Sequence, residues 1–246
     1  MAPPSPAGRW QRRSEPVPIT DHPRAAVLFD VDGTLIDSSY LHTLAWWQSF
    51  RQAGLDVPMA SIHRSVGMGG DKLLDHLLPD RDREGDDALT ASQAAVFATY
   101  WPALRRTDGA RELLVQCHDV GLALALASSA HGRDLEMLRA AIDADAYLHA
   151  ATSSADAEES KPQPDILVAA LEAVGVAAAD AVYVGDSVWD IKAAAKLGIP
   201  TVAVTCGGTS EAELRDAGAA EVYENPRALL ANLAGSAIGK LAARSR

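Results

Sequence analysis

Residues 25–34 have the sequence AAVLFDVDGT, in which five apolar residues end abruptly at Asp30. An apolar run of this length is typical of a strand that is buried on both faces of a sheet. In an open parallel sheet, ligands bind beyond the carboxyl ends of the strands. We therefore predict that Asp30 and Asp32 lie at a ligand-binding edge, although an Asp-Gly pair taken alone would also suit a plain turn.

Similar apolar runs recur along the chain, at residues 122–127, 181–184, 201–204 and, more weakly, 146–151. Helical patterns lie between them, at residues 109–120, 165–174 and 187–197. A glycine follows each of these patterns, as is common where a helix ends. Alternating strands and helices predict an α/β fold with a Rossmann-like core, in which helices cover both faces of a mostly parallel sheet.

The segment between residues 38 and 107 breaks this alternation. It contains no convincing strand, and its periodicity predicts helices at residues 38–53, 70–78 and 86–104. We therefore predict a small all-helical domain, residues 38–107, inserted after the first strand. The core would then comprise residues 24–37 and 108–234.

The two ends of the chain lack such patterns. Residues 1–23 are rich in proline and arginine and show no hydrophobic period, which predicts a disordered N-terminal extension. Arg12 and Arg13 are followed by no apolar stretch before Asp21, which argues against an export signal. We predict that residues 235–246 form a frayed tail.

Composition limits the function classes. The chain of 246 residues carries a formal net charge of -11, so we expect no nucleic-acid binding through its overall field. No apolar run reaches the ~18 residues of a membrane span, so we expect no membrane partner. Cys117 and Cys206 make no disulfide framework, which predicts a cytoplasmic location. The sequence leaves the oligomeric state open.

Polar residues follow other predicted strands as well. Ser128 and Ser129 follow the second, Asp186 follows the strand at residues 181–184, Asp190 lies one helical turn later, and Lys161 lies in a preceding loop. We expect all of them to converge with Asp30 and Asp32 on one rim. Two carboxylates about 4 Å apart repel by roughly 4 kcal/mol at an effective dielectric of 20, so the cluster needs a cation. All-oxygen ligands point to Mg²⁺.

Four motifs in this order resemble the haloacid dehalogenase superfamily, in its phosphatase branch with an alpha-helical cap. They are residues 30–34, Ser128, Lys161 and residues 185–190, and the resemblance runs from Arg24 to Leu233. Within the superfamily the chain is most similar to phosphoglycolate phosphatase-like and beta-phosphoglucomutase-like members. The resemblance implies a magnesium-dependent phosphatase that hydrolyses a small phosphorylated metabolite, phosphoglycolate-like or a sugar phosphate, through an aspartyl-phosphate.

The resemblance also implies roles for individual residues. Asp30 would be the nucleophile and Asp32 the acid/base. Mg²⁺ would be held by Asp30, the backbone carbonyl of Asp32 and Asp186. The phosphoryl group would be bound by Ser128, Ser129 and Lys161. Asp190 would act either through a metal-bound water or by orienting Lys161.

Three residues of the helical insertion are candidates for substrate-related roles. His42 matches a histidine that positions the acid/base residue in some related mutases, or is an ordinary helix histidine. Arg64 and Lys72 flank the Gly67–Gly70 loop and could contact an anionic substrate.

Three other functions are alternatives to the phosphatase interpretation. A beta-phosphoglucomutase-type phosphomutase is the main alternative, but Gly70 stands where we would expect that enzyme's arginine. A 2-haloacid dehalogenase would not need the second carboxylate, Asp32. Intact motifs argue against an inactive binding module.

Overall fold

The computed structural model describes residues 23–245. The predicted disordered extension lies outside this range except for Pro23. Within residues 23–245 no helix combines the length and the apolar character that a membrane span requires.

A six-stranded parallel sheet forms the centre of the described structure, with the strand order β3-β2-β1-β4-β5-β6. The strands are β1 (Ala26–Phe29), β2 (Ala123–Ala127), β3 (Ala150–Thr152), β4 (Ala181–Gly185), β5 (Thr201–Val204) and β6 (Glu221–Tyr223). The first strand pairs with β2 on one side and β4 on the other. The residues that follow β1 and β4 are therefore neighbours at the carboxyl edge of the sheet.

The described residues also form eleven α-helices. They are α1 (Ser39–Gln52), α2 (Met59–Ser65), α3 (Gly70–Leu77), α4 (Asp86–Ala98), α5 (Ala110–Asp119), α6 (Gly132–Ile142), α7 (Asp165–Val174), α8 (Val188–Lys196), α9 (Glu211–Asp216), α10 (Pro226–Ala231) and α11 (Ala237–Ser245). The predicted helix at residues 86–104 ends earlier, at Ala98.

Alternate residues of β1 enter two separate hydrophobic cores. Val27 and Phe29 pack with residues of α5, α6, α10 and α11, whereas Ala26 and Leu28 pack with residues of α7 and α8. Burial on both faces explains the uninterrupted apolar run in the sequence. The predicted α/β fold, with helices on both faces of a parallel sheet, is confirmed.

The helices α1 to α4 lie between β1 and α5 in the sequence, and they form a helical cap. They have a hydrophobic cluster of their own, which includes Trp46, Phe50, Ile62, Leu73 and Leu74. The sequence did not predict α2, which is only seven residues long. The division of the chain at residues 38 and 107 stays a prediction.

The sequence missed the edge strand β6 and misplaced β3. Glu221, Val222 and Tyr223 are all half-buried, so β6 has no continuous apolar run to reveal it. A turn of 3₁₀ helix occupies part of the weak run at residues 146–151, and the strand itself begins only at Ala150.

The prediction of a frayed tail at residues 235–246 was wrong. Residues Ala237–Ser245 form α11. Its Ile238 and Leu241 side chains are 0% and 2% exposed and lie in the hydrophobic core that contains Val27 and Phe29. These residues and Ala242 recur at helical spacing, so one face of the helix is apolar. Burial of that face orders the end of the chain.

We predict that Leu241→Ala lowers the free energy of unfolding by about 2–4 kcal/mol, because it empties a buried site. Arg244 is exposed on the same helix, so Arg244→Ala should change stability by less than about 0.5 kcal/mol. Denaturant titration of both variants measures the difference. Equal effects would mean that α11 does not pack on the core.

Candidate active site

Asp30 and Asp186 meet because they follow the neighbouring strands β1 and β4. The Asp30 backbone N–H donates to the Val184 carbonyl at 2.8 Å, which continues the sheet pairing to the first carboxylate. Thr34 lies between the two side chains. Its hydroxyl is 3.1 Å from Asp186 Oδ1 and 3.4 Å from Asp30 Oδ2. The register of the sheet thus brings together residues far apart in sequence.

Lys161 is buried, with 1% of its side chain exposed. Its ammonium donates to Asp30 Oδ1 at 2.6 Å, to Asp190 Oδ1 at 2.9 Å and to the Tyr183 hydroxyl at 2.8 Å. Burial opposes the charge on Lys161, but Asp190 and Asp30 outweigh that effect and raise the pKa of the ammonium. The chain therefore holds a fixed positive charge against the Asp30 carboxylate.

The Asp190 carboxylate accepts hydrogen bonds at both oxygens. Lys161 and Tyr183 donate to Oδ1, while the backbone N–H and the hydroxyl of Ser187 donate to Oδ2 at 3.0 and 2.6 Å. Ser187 and Asp190 also form the capping box that starts α8. Helix capping and the lysine contact thus fix the same carboxylate.

Two glycines leave room for Asp186. A Cβ atom at Gly207 would overlap the Asp186 carboxylate, and one at Gly33 would crowd both Asp186 and Ser39. Gly33 also has a φ of +83°, which L side chains rarely adopt. Asp186 can approach the first strand's loop only because both positions lack a side chain.

The carboxylate cluster carries more negative charge than Lys161 can balance. Oxygen atoms of Asp30, Asp186 and Asp190 lie within 4.8 Å of one another, and all three residues are buried. Burial raises the pKa of Asp30 to about 7, with Asp190 and Asp32 adding to the rise against the opposing effect of Lys161. Burial, with Asp190 and Asp30, also raises the pKa of Asp186 well above its ordinary value. This donor set fits a divalent cation that prefers oxygen ligands.

Asp32 is held by the first helix of the cap. The Ser38 hydroxyl donates to Asp32 Oδ1 at 2.5 Å, and His42 Nε2 lies 3.0 Å from the same oxygen. The Gln93 amide nitrogen lies 3.3 Å from His42 Nδ1, and the His42 ring stacks on Phe97.

These contacts set the charge state of Asp32. Burial acts to raise the pKa of Asp32, but His42, through its charge and its hydrogen bond, and the Ser38 hydroxyl outweigh it and place the pKa below the ordinary value. The two aspartates of residues 30–34 therefore have opposite shifts. Such a difference is common where two carboxyl groups have different tasks.

The two serines after β2 differ in their surroundings. The Ser128 hydroxyl is buried and accepts a hydrogen bond from the Ala130 N–H at 3.1 Å. The Ser129 hydroxyl is buried without a hydrogen-bond partner among residues 23–245, and Ser129 lines the cavity that Asp30 and Asp32 share. Ser129 is therefore free to donate to a ligand there.

The cap candidates occupy three different places. His42 lies on Asp32, as described. Lys72 donates to Glu159 at 2.8 Å. Arg64 lines a separate cavity beside Asp186, and its carbonyl accepts from Trp189 Nε1 at 2.8 Å. Substrate contact by Arg64 and Lys72 stays a prediction, whereas the Gly67–Gly70 loop does line the cavity of Asp30 and Asp32.

Three site residues were missed by sequence reasoning. Tyr183 lies within the apolar run of β4, where a tyrosine is an ordinary strand residue. Ser38 and Gln93 belong to helical segments in which nothing distinguishes them from solvent-facing polar residues. Only the helical spacing between Ser38 and His42, four residues apart, could have suggested a shared target.

Comparison with known proteins places the chain in one family. Residues 27–204 match the family model described as haloacid dehalogenase-like hydrolase. Protein CbbY of Cupriavidus necator is 31% identical over 194 residues, which cover 72% of this chain and 76% of that protein. Phosphoglycolate phosphatase of Escherichia coli is 28% identical over 212 residues, which cover 74% of this chain and 81% of that enzyme.

Two other matches differ in how much of the matched protein they cover. Protein SUPPRESSOR OF QUENCHING 1 of Arabidopsis thaliana is 31% identical over 208 residues, which cover 82% of this chain. The match spans only 20% of the length of that plant protein. The crystal structure of a hydrolase from Pseudomonas syringae has a TM-score of 0.83 and 29% identity, and covers 87% of this chain and 99% of that one.

We predict that Gly207→Ala lowers the free energy of unfolding by about 1–3 kcal/mol, because the new methyl group must displace Asp186. Gly132 has open space around its Cβ position, so Gly132→Ala should be neutral or stabilise by up to about 1 kcal/mol. Thermal unfolding of the two variants compares them. A tolerated Gly207→Ala would mean that Asp186 does not approach this loop.

Proposed function

The chain belongs to the haloacid dehalogenase-like hydrolase family, and we propose that this phosphatase uses Mg²⁺ and Asp30 to hydrolyse a small phosphorylated metabolite. One observation carries the proposal: the Asp30 carboxylate is held by Lys161 at 2.6 Å and opens into a cavity that it shares with Asp32. A carboxylate nucleophile, a fixed cation and a second carboxylate are the groups that phosphoryl transfer through a covalent intermediate requires.

The first step transfers the phosphoryl group to the enzyme. An Asp30 oxygen attacks phosphorus, the bond from phosphorus to the ester oxygen breaks, and Asp32 donates a proton to that oxygen as it leaves. In the second step water attacks the aspartyl-phosphate, Asp32 accepts the water's proton, and the bond from phosphorus to Asp30 breaks. Splitting the reaction in this way lets one carboxyl group serve as acid and then as base.

The placement of Asp32 supports this role. Ser38 and His42 hold one of its oxygens, so the side chain has a fixed direction. Its low pKa favours the ionised form that accepts a proton from water. The first step needs the protonated form, which the negative charge of a bound phosphoryl group favours.

The carboxylate cluster supports a magnesium site at Asp30, Asp186 and the backbone carbonyl of Asp32. When bound, Mg²⁺ would neutralise charge on the phosphoryl oxygens and on the two carboxylates. Lys161, whose ammonium contacts Asp30, and the Ser128 and Ser129 hydroxyls would also bind the phosphoryl group. We propose that Asp190 orients Lys161, because the hydrogen bonds to both of its oxygens come from protein donors.

The mutase alternative gains no support from the cavity. A phosphomutase of the beta-phosphoglucomutase type must hold a second phosphate, and the described residues that line the Asp30 and Asp32 cavity include no lysine or arginine. A cytoplasmic location stays a prediction from composition.

We predict that Asp30→Asn abolishes magnesium-dependent hydrolysis of both an aryl and an alkyl phosphate, because the nucleophile is lost. Asp32→Asn should slow phosphoryl transfer from the alkyl phosphate to Asp30 by about 10²–10⁴-fold and from the aryl phosphate much less, since a phenolate with a low pKa leaves without protonation. Hydrolysis of the aspartyl-phosphate should slow for both substrates, because water attack lacks its base. Steady-state kinetics measure turnover in Asp30→Asn, and the single-turnover rate of alcohol or phenol release measures the first step in Asp32→Asn.

Asp119→Asn is the matched control, because Asp119 is an exposed aspartate beyond the site, and it should retain wild-type rates. Activity in Asp30→Asn would refute the nucleophile. Equal losses in the single-turnover rates of alcohol and phenol release by Asp32→Asn would refute the acid role.

We predict that Mg²⁺ raises the melting temperature more at about pH 8 than at about pH 6. The pKa of Asp30 is raised from 3.8 to about 7, so between these values the folded protein keeps a proton that the unfolded chain has lost. Stability without metal should therefore fall as the pH rises through this range, and Mg²⁺ must displace the proton to bind.

Differential scanning fluorimetry with and without Mg²⁺ measures both effects. Asp186→Asn should reduce the magnesium-dependent increase at either pH. A magnesium-dependent increase in melting temperature that is equal at both pH values, or that is undiminished in Asp186→Asn, would contradict the proposed site.

A further inference from the structure

Among the described residues, two cavities lie between the cap and the core, and of these two only the smaller is lined by Asp30 and Asp32. The larger, about 540 Å³, adjoins Asp186 and is lined by neither Asp30 nor Asp32. The smaller, about 90 Å³, is lined by both of these aspartates. Because Asp32 must reach the ester oxygen, the leaving group of the proposed reaction occupies the smaller cavity, which we call the Asp32 cavity.

The Asp32 cavity is negative beyond the phosphoryl site. Its described lining includes Asp134 as a third carboxylate, together with His42 and His131, and no lysine or arginine. Apart from Lys161, which contacts Asp30, two basic side chains of neighbouring segments are engaged elsewhere. Lys72 pairs with Glu159 at 2.8 Å, and the Arg133 guanidinium lies over the Trp101 ring at 4.8 Å.

Asp134 is available to a ligand. It lies half-buried in the first turn of α6, where a carboxylate also stabilises the helix N-terminus. It has no hydrogen-bond partner within residues 23–245. Burial raises the pKa of Asp134 and Asp32 adds to the rise, while His42, His131 and Arg133 oppose it. Because the carboxylates of Asp32 and Asp134 both line this cavity, a further negative charge brought there would be repelled.

The rest of the lining fits a group that bears hydroxyls. Gln93 and Thr90 supply polar atoms, and Trp46 and Leu73 supply apolar surface for carbon-bound hydrogens. A volume of about 90 Å³ is about three times the ~30 Å³ that one water molecule occupies in the liquid. This is the size of a small polyol rather than a nucleoside.

We propose that Asp134 selects an uncharged, hydroxyl-bearing leaving group, by accepting a hydroxyl hydrogen bond and by repelling a carboxylate or a second phosphate. The proposal rests on the proposed phosphatase function. Small polyol monophosphates are then the substrate class, and phosphorylated carboxylic acids such as phosphoglycolate are disfavoured.

Two matched substrate pairs test this specificity. Glycerol 3-phosphate differs from 3-phosphoglycerate, and 2-hydroxyethyl phosphate from 2-phosphoglycolate, by a hydroxymethyl group in place of a carboxylate. We expect kcat/KM to favour the hydroxyl member of each pair by about tenfold or more, the effect of one like-charge contact at moderate distance. Asp134→Asn should reduce that ratio at least about fivefold, mainly by raising kcat/KM for the acidic member.

Glu136→Gln is the control, since it removes the same charge from an exposed position of the same helix and should keep the wild-type ratio. Melting temperatures establish that both variants are folded. A wild-type ratio near or below one, or a ratio that Asp134→Asn leaves unchanged, would overturn the specificity role. If the wild-type protein showed no magnesium-dependent turnover of any of these substrates or of an aryl phosphate, the phosphatase function itself would be overturned.

Discussion

The buried ammonium of Lys161 is the interaction on which the rest of the site depends. It joins Asp30, which follows β1, to Asp190 in α8 and to Tyr183 in β4. Removing one partner of a buried ion pair costs about 3–5 kcal/mol, because the other charge is left without compensation. The position of Asp30, the proposed nucleophile, is therefore tied to the packing of the sheet and of the helix that follows β4.

The sheet makes this arrangement possible. Parallel strands place their carboxyl ends at one edge, and pairing of β1 with both β2 and β4 puts Asp30 between the serines and Asp186. Gly33 and Gly207 allow the loops to approach Asp186 closely. The cap adds the second carboxylate's partners, since α1 carries His42 to Asp32. The carboxylates of Asp30, Asp32 and Asp186, to which we assign metal binding and acid/base chemistry, thus all follow strand ends of one sheet.

Sequence reasoning found the residues whose position is set by a strand end. Asp30, Asp32 and Asp186 interrupt apolar runs, and that interruption is visible without a structure. Tyr183 was hidden because its hydroxyl acts from within a strand. Asp134 was hidden because its orientation toward the cavity depends on how α6 packs.

Prediction of the fold from the sequence had the same limit. Strands buried on both faces were evident from continuous apolar runs, whereas β6 was missed because its three residues are half-buried. The helix α11 was missed because its apolar face, with Ile238 and Leu241, is short and follows a glycine-containing turn. Such segments are defined by the surfaces that they cover, which a local pattern does not reveal.

The most direct test of the account is to find the phosphoryl group on Asp30. Asp32→Asn, mixed with an aryl phosphate and Mg²⁺ and then quenched in acid, should accumulate the intermediate, because water attack lacks its base. Mass spectrometry of peptides should locate the added phosphoryl group on Asp30, and on no other residue. A phosphoryl group on another side chain, or turnover with no phosphorylated peptide in any variant, would contradict the account.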